Sequence, residues 1–201
     1  MKITTIIFDI GNVLAAFCWQ KHFRKICPDE ESFQRLAKAT VMDDAWNQFD
    51  KGVLSEEELL NIFISNDPEI EELVRRMFLN VSDTIEVFDY THAWIQELKQ
   101  KGYRVLILSN FSEKAYRECG EKMSFVEEAD GAVISYKEKM IKPDREIYEL
   151  IISRYSLIPE ECVFLDDRAD NIEAARRMGM QGIVFTTREA ALKELKKMGV
   201  E

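Results

Sequence analysis

Asp9 closes an apolar run, Ile6-Ile7-Phe8, and is followed by Ile10-Gly11-Asn12. An unpaired carboxylate buried in a core costs on the order of several kcal/mol. An acid at this place is better explained as a reactive group that a buried strand delivers to the C-terminal edge of a sheet. The plain alternative is a turn or helix-capping aspartate. Against it, Gly11 holds the turn position, and no helical pattern begins until several residues later. A tight Gly11-Asn12 turn would let backbone N–H groups approach an anionic ligand. A carboxylate beside such a turn can attack phosphorus and become an acyl phosphate.

Two further runs have the same design. Val105-Leu106-Ile107-Leu108 ends in Ser109-Asn110, and Cys162-Val163-Phe164-Leu165 ends in Asp166-Asp167. Asp170 and Asn171 follow that pair. Asp170 could simply favour a helix dipole, but this hardly explains two adjacent acids at a strand end. Like charges so close require a cation, and hard oxygen ligands suit Mg²⁺. Such an ion, shared by Asp9, Asp166 and Asp167, would screen their repulsion from an incoming phosphate. Lys142-Pro143-Asp144 adds an ammonium near an expected helix N-terminus, where anions bind.

Placing these groups together requires a particular order of elements. Residues 3–10 read as a fully buried strand, and 15–88 as helical with no convincing strand run. Within that stretch Ser55-Glu56-Glu57-Glu58 predicts a capping box, and Pro68 to Asn80 carries apolar residues at helical spacing. After residue 89 helices and strands alternate: helix 90–101, strand 103–109, a helix near 112–122, strand 131–134, helix 144–154, strand 162–166, helix 169–178, strand 182–185 and helix 188–198. This predicts an α/β fold, a three-layer Rossmann-like parallel sheet core that binds ligands beyond the strands' C-terminal ends. The core would comprise 1–14 and 89–201, with 15–88 inserted as a helical cap.

The chain has 201 residues, 46% hydrophobic and 32% charged, as in ordinary soluble proteins. A net charge of -10 argues against nucleic acid or an anionic membrane as partner. Cys18, Cys27, Cys119 and Cys162 show no CxxC spacing and read as reduced thiols of a cytoplasmic protein. His22 and His92 lack zinc-site spacing. The first apolar stretch, interrupted by Asp9, is too short for a signal or membrane-spanning segment. Phe17, Trp19, Trp46 and Phe49 in the insertion are better explained by packing than by substrate contact. The sequence leaves the oligomeric state open, between a monomer and a weak dimer.

Jointly, FDIGNVL, LILSN, KPDREIY and FLDDRADNIEAA, in this order, resemble the four motifs of the haloacid dehalogenase-like hydrolase superfamily. The closest resemblance is to the group containing bacterial sugar-phosphate phosphatases, with an FDxGNV-type first motif and a small helical cap. The resemblance implies Asp9 as nucleophile, and Ser109, Asn110 and the Gly11-Asn12 backbone as phosphate contacts. It implies that Lys142 steadies the nucleophile and phosphoryl oxygens. Mg²⁺ would be held by Asp9, the Gly11 carbonyl, Asp166 and Asp167, with Asn171 supporting from behind. The expected partner is a small phosphorylated metabolite.

One position departs from the pattern. Many phosphatases of this superfamily carry a second aspartate two residues after the nucleophile, acting as general acid and base; here it is Gly11. General acid–base catalysis contributes on the order of 10²–10⁴-fold, so a substitute such as water or a cap group is needed, with His22, Asp43 and Asp44 as cap candidates. Two rival readings follow: a 2-haloacid dehalogenase, which also lacks that acid, and a non-catalytic regulator that binds a phosphometabolite. The pair Asp166-Asp167 counts against the dehalogenase, whose metal-free site handles a carboxylate substrate.

Overall fold

The computed structural model describes residues 2–200. Strand β1 (Thr5–Phe8) is the centre of a five-stranded parallel sheet. After it come β2 (Ala15–Phe17), helices α1 (Trp19–Ile26), α2 (Glu30–Ala39), α3 (Ala45–Asp50), α4 (Glu56–Asn66) and α5 (Glu71–Leu79), and β3 (Ile85–Val87). The chain continues as α6 (Thr91–Gln100), β4 (Arg104–Ser109), α7 (Glu113–Cys119), α8 (Phe125–Glu128), β5 (Gly131–Ile134), α9 (Ser135–Glu138) and α10 (Arg145–Tyr155). It ends with β6 (Cys162–Asp166), α11 (Ala169–Arg177), β7 (Gln181–Val184) and α12 (Arg188–Lys197). The sheet order is β5-β4-β1-β6-β7.

Alternation along the central strands explains the three layers. Ile6, Phe8, Val105, Ile107, Val163 and Leu165 face one apolar cluster, with Trp94 of α6 and Leu195 of α12. Ile7, Leu106, Leu108 and Phe164 face the other, with Ile147 and Ile151 of α10 and Ile172 of α11. Strands buried on both faces read as continuous apolar runs, as these do. Each such side chain contributes roughly 1.5–3 kcal/mol through burial. The fold class is therefore the α/β Rossmann-like sheet expected from the sequence.

Parallel register brings the strand ends level. Phe8 pairs with Ile107 of β4 and Leu165 of β6, so Asp9 emerges between Ser109 and Asp166. Chain chemistry alone thus places three of the expected groups at one edge.

Several expected elements are corrected. The first strand is shorter than 3–10: it covers Thr5–Phe8, and although the Asp9 N–H still donates to the Leu165 carbonyl at 2.9 Å, the Ile10 carbonyl already accepts from the turn residues Val13, Leu14 and Ala15. Region 15–88 is not helical throughout: β2 and β3 pair antiparallel at its two ends, Ala15 with Val87 and Phe17 with Ile85. The Cys18 N–H donates to Thr84 O at 2.6 Å and the Phe88 N–H to Leu14 O at 3.1 Å, extending this clasp. Three-residue strands are too short to show a two-residue period. The helix expected near 112–122 ends at Cys119, because Gly120 takes a φ of 50° and a 3₁₀ turn follows. Pro68–Ile70 forms a 3₁₀ turn before α5. The capping box is present: the Glu58 N–H donates to Ser55 Oγ at 3.2 Å and the Ser55 N–H to Glu58 Oε2 at 2.8 Å.

Candidate active site

Asp9, at the end of β1, is only 7% exposed. Lys142 Nζ lies 2.8 Å from Asp9 Oδ1 and 2.6 Å from Asp166 Oδ2. One ammonium thus joins the first, third and fourth motifs. Burial alone would lower the Lys142 pKa, but the attraction of Asp9 and Asp166 outweighs it and holds the amine charged, above its usual range.

Oxygens of Asp9, Asp166 and Asp167 lie within 4.8 Å of one another. Three carboxylates against one ammonium leave a formal charge of −2, which one divalent cation would cancel. The chemistry fits Mg²⁺, whose ligands are hard oxygens. Burial raises the pKa of two of the three acids in the bare cluster. Burial pushes Asp9 up to about 6, opposed by Lys142 and reinforced by Asp166. Burial also raises Asp167, opposed by its hydrogen bond from Asn12.

The two neighbouring acids differ in what they touch. Asp166 is fully buried and accepts from Lys142 Nζ, from Asn171 Nδ2 on both oxygens at 3.0 Å, and from the Arg168 N–H at 2.8 Å. Asp167 accepts from Asn12 Nδ2 at 2.8 Å through Oδ2. Asn171 is 2% exposed, and its backbone carbonyl accepts the Tyr148 hydroxyl at 3.0 Å. Asp170 is drawn outward by Arg168, 2.7 Å away.

The loop after Asp9 differs from expectation in one respect. Asn12, not Gly11, takes the left-handed conformation, with φ 54°. Asparagine tolerates it because its short polar side chain bonds locally: Asn12 Oδ1 accepts the Phe17 N–H at 3.1 Å while Nδ2 holds Asp167. Gly11 has no positive φ, and a Cβ there would meet only Asp9 Oδ2, at 3.7 Å.

Ser109 is fully buried; its hydroxyl lies 3.5 Å from the Asn110 carbonyl and favours the charged form of the neighbouring Asp9. Both ends of the Asn110 amide are engaged: Oδ1 accepts the Lys142 N–H at 2.8 Å and Nδ2 donates to the Lys142 carbonyl at 3.0 Å. Asn110 therefore fixes the loop that carries the lysine.

The proton-donor candidates named in the insertion have partners within it. His22 is buried beside Asp83, 3.9 Å away, and burial lowers its pKa. Asp43 Oδ1 accepts the Ala45 N–H at 2.9 Å, and Asp44 accepts from Asn47 at 3.1 Å. The insertion acid that feels the charge of Asp9 is Asp50, the last of α3, which the sequence reading passed over. Its one legible mark is an acid at a helix C-terminus, where the dipole disfavours it. Burial and the nearby Asp9 charge push Asp50 up to about 7, opposed by the Ser112 N–H. Trp46 stacks on Phe63 and Phe49 packs on Phe78, so these rings belong to the insertion's own core. A surface hollow of about 390 Å³ lined by Ile3, Glu160, Gln181, Lys197 and Met198 opens at the opposite end of the strands, far from the acids.

A three-layer sheet with acids and a lysine gathered at its C-terminal edge defines a hydrolase-type catalytic centre. Residues 3–179 match the model of the haloacid dehalogenase-like hydrolases, and the chain belongs to that family. It is 26% identical over 192 residues to the sesquiterpene phosphatase astK of Aspergillus oryzae, covering 96% of this chain and 94% of that protein. It is 25% identical to phosphatase MT3486 of Mycobacterium tuberculosis, covering 99% and 96%. Some relatives are longer: the chain spans 36% of drimenol cyclase drtB of Aspergillus calidoustus. Among solved structures, an aspartate-to-alanine mutant of a HAD family enzyme of Bacteroides thetaiotaomicron, in complex with magnesium and inorganic phosphate, superposes with a TM-score of 0.75 at 20% identity, covering 92% of this chain and 95% of that one.

Proposed function

We propose that this chain is a Mg²⁺-dependent phosphatase acting on a small phosphomonoester of the sugar-phosphate type. The observation that carries the reading is the convergence of Asp9, Asp166 and Asp167 oxygens within 4.8 Å, with Lys142 bridging Asp9 and Asp166. The near full-length likeness to two phosphatases, and the bound magnesium and phosphate of a protein with this fold, support it.

Asp9 attacks phosphorus in line, displacing an alcohol and forming an aspartyl phosphate that water then cleaves. Lys142 neutralises charge on Asp9 and on the transferring oxygens, and the Ser109 hydroxyl orients them. Asn110 holds the Lys142 loop. Mg²⁺ would be held by Asp9, Asp167, Asp166 and the Gly11 carbonyl, and it would supply charge neutralisation at phosphorus. Asn171 fixes Asp166 from behind, and Asn12 fixes Asp167. Helices α1–α5 act as a cap over the strand ends. With Asp9, Lys142 and Asp166 all buried, the cap must swing on the β2–β3 ribbon to admit substrate. Four free thiols suit a reducing cytoplasm, and no helix among the described residues is long and apolar enough to cross a membrane.

The test is a hydrolysis screen over phosphorylated sugars, nucleotides and organic acids, with and without Mg²⁺, with halide release from 2-haloacids measured alongside. Mg²⁺-dependent phosphate release is expected. Halide release without metal, or tight phosphometabolite binding without turnover, overturns the reading in favour of a dehalogenase or a regulator respectively.

A further inference from the structure

The phosphatase reading leaves one requirement without a residue. Displacing an alcohol from phosphorus develops an alkoxide, which needs a proton, and Gly11 has none to give. Asp166 is occupied by Lys142, Asn171 and the Arg168 N–H, and Asp167 is held by Asn12. Asp50 has no such assignment. It comes from the insertion, yet its backbone is docked onto the core beside the reacting groups. The Asp50 carbonyl accepts the Ser135 hydroxyl at 2.5 Å, and the same Ser135 Oγ accepts the Phe111 N–H at 2.8 Å. The Asp50 carboxyl lies close enough to the Ser112 N–H and to Asp9 for both to act on its charge. Phe111 and Ser112 directly follow Ser109-Asn110, so the last turn of α3 descends onto the loop that leaves β4.

We propose that Asp50 is the general acid and base of this reaction, supplied by the cap in place of the residue missing at position 11. As the Asp9–phosphorus bond forms and the ester P–O bond breaks, the protonated Asp50 carboxyl gives its proton to the departing alcohol oxygen. The resulting carboxylate then takes a proton from the water that attacks the aspartyl phosphate. Asp9 leaves as carboxylate, inorganic phosphate is released, and Asp50 is protonated again. The proposal rests on the phosphatase reading.

The surroundings of Asp50 suit the role. The Asp9 charge from β1 and the Ser112 N–H both act on its carboxyl, while its backbone is held on the core through Ser135. The nearby lysines are engaged elsewhere: Lys51 with Asp144 at 3.3 Å, Lys139 with the Gly52 carbonyl, and Lys142 with Asp9 and Asp166. No cation among the described residues forms an ion pair with Asp50 that would fix it as a carboxylate. Because the donor arrives with the cap, proton transfer is coupled to closure, and an open site is a poor one for water to attack.

The experiment measures kcat/KM with Mg²⁺ over a series running from p-nitrophenyl phosphate, whose leaving group departs without a proton, to simple alkyl phosphates. Wild-type protein is expected to show a shallow dependence on leaving-group basicity. Asp50→Asn, which keeps an oxygen for the Ser112 N–H, is expected to lose on the order of 10²–10⁴-fold on alkyl phosphates and less than about threefold on p-nitrophenyl phosphate. Its aspartyl phosphate should accumulate after rapid quenching. An equal loss on both substrates overturns the proposal, as does a steep leaving-group dependence in the wild type, which decides the matter even if the variant does not fold. Absence of phosphate release by the wild type from every member removes the phosphatase reading and this proposal with it. A shallow wild-type series with unimpaired Asp50→Asn sinks the role of Asp50 alone.

Discussion

Lys142 and Asp166 form an ion pair of 2.6 Å in which both side chains are withdrawn from water, at 1% and 0% side-chain exposure. Lys142 also reaches Asp9, the proposed nucleophile, at 2.8 Å, and the pair is fixed from both sides, Lys142 by the Asn110 amide on its backbone and Asp166 by Asn171. Fixed charges in a water-poor site act strongly on developing charge, because no solvent must reorganise during the reaction.

Removing the ammonium should therefore damage stability and catalysis together. Lys142→Ala leaves Asp9 and Asp166 facing each other uncompensated, and breaking a buried pair in this way costs about 3–5 kcal/mol. We expect a fall in unfolding free energy of that size in denaturant titrations, and a loss of kcat of at least ~10²-fold. Mg²⁺ should restore part of the stability but little of the rate. A folded Lys142→Ala protein with unchanged kcat would remove the lysine from the chemistry.

Asp9 carries the opposite balance. Its pKa is raised by burial, with Lys142 only partly offsetting that effect, from 3.8 to about 6. Folded protein thus holds a proton on Asp9 that unfolded protein has lost between pH ~4 and ~6, so stability falls as pH rises through that window. The full effect is on the order of 3 kcal/mol in metal-free protein. Asp9→Asn has no charge to bury. It should abolish turnover while melting higher than the metal-free wild type at pH 8, and the two melting temperatures should converge towards pH 4. Mg²⁺ should raise the wild-type melting temperature most at the alkaline end. An active Asp9→Asn protein, or a difference in melting temperature independent of pH, would contradict this assignment.

The meeting of the candidate residues at one sheet edge was legible because each ends an apolar run. Asp9, Ser109 and Asp166 follow strands buried on both faces, and parallel register necessarily brings such ends to one edge. Lys142 was legible only in company with them, since a lone lysine before Pro-Asp resembles any other. What escaped depends on tertiary placement. The β2–β3 ribbon has three residues on each side, fewer than a period needs. The left-handed turn residue is Asn12, because hydrogen bonds to Asp167 and Phe17 select it. Asp50 sits in a six-residue helix whose docking on Ser135 no local pattern encodes.

Gly11 supplies the last prediction. Its backbone does not require glycine, and a Cβ would find only Asp9 Oδ2, 3.7 Å away. A side chain can therefore start there without moving the loop, and aspartate would add a second proton donor beside Asp9. The added charge also raises repulsion around Asp9, so kcat/KM for p-nitrophenyl phosphate, which needs no proton, should stay level or fall slightly. Alkyl phosphates should gain, and the gain should be larger in an Asp50→Asn background, where no other acid serves the leaving oxygen. There Gly11→Asp should recover at least ~10-fold of the lost rate. Measuring the four proteins as a double-mutant cycle on both substrates gives the coupling between the two positions directly. Strictly additive effects would mean that positions 11 and 50 do not share one proton.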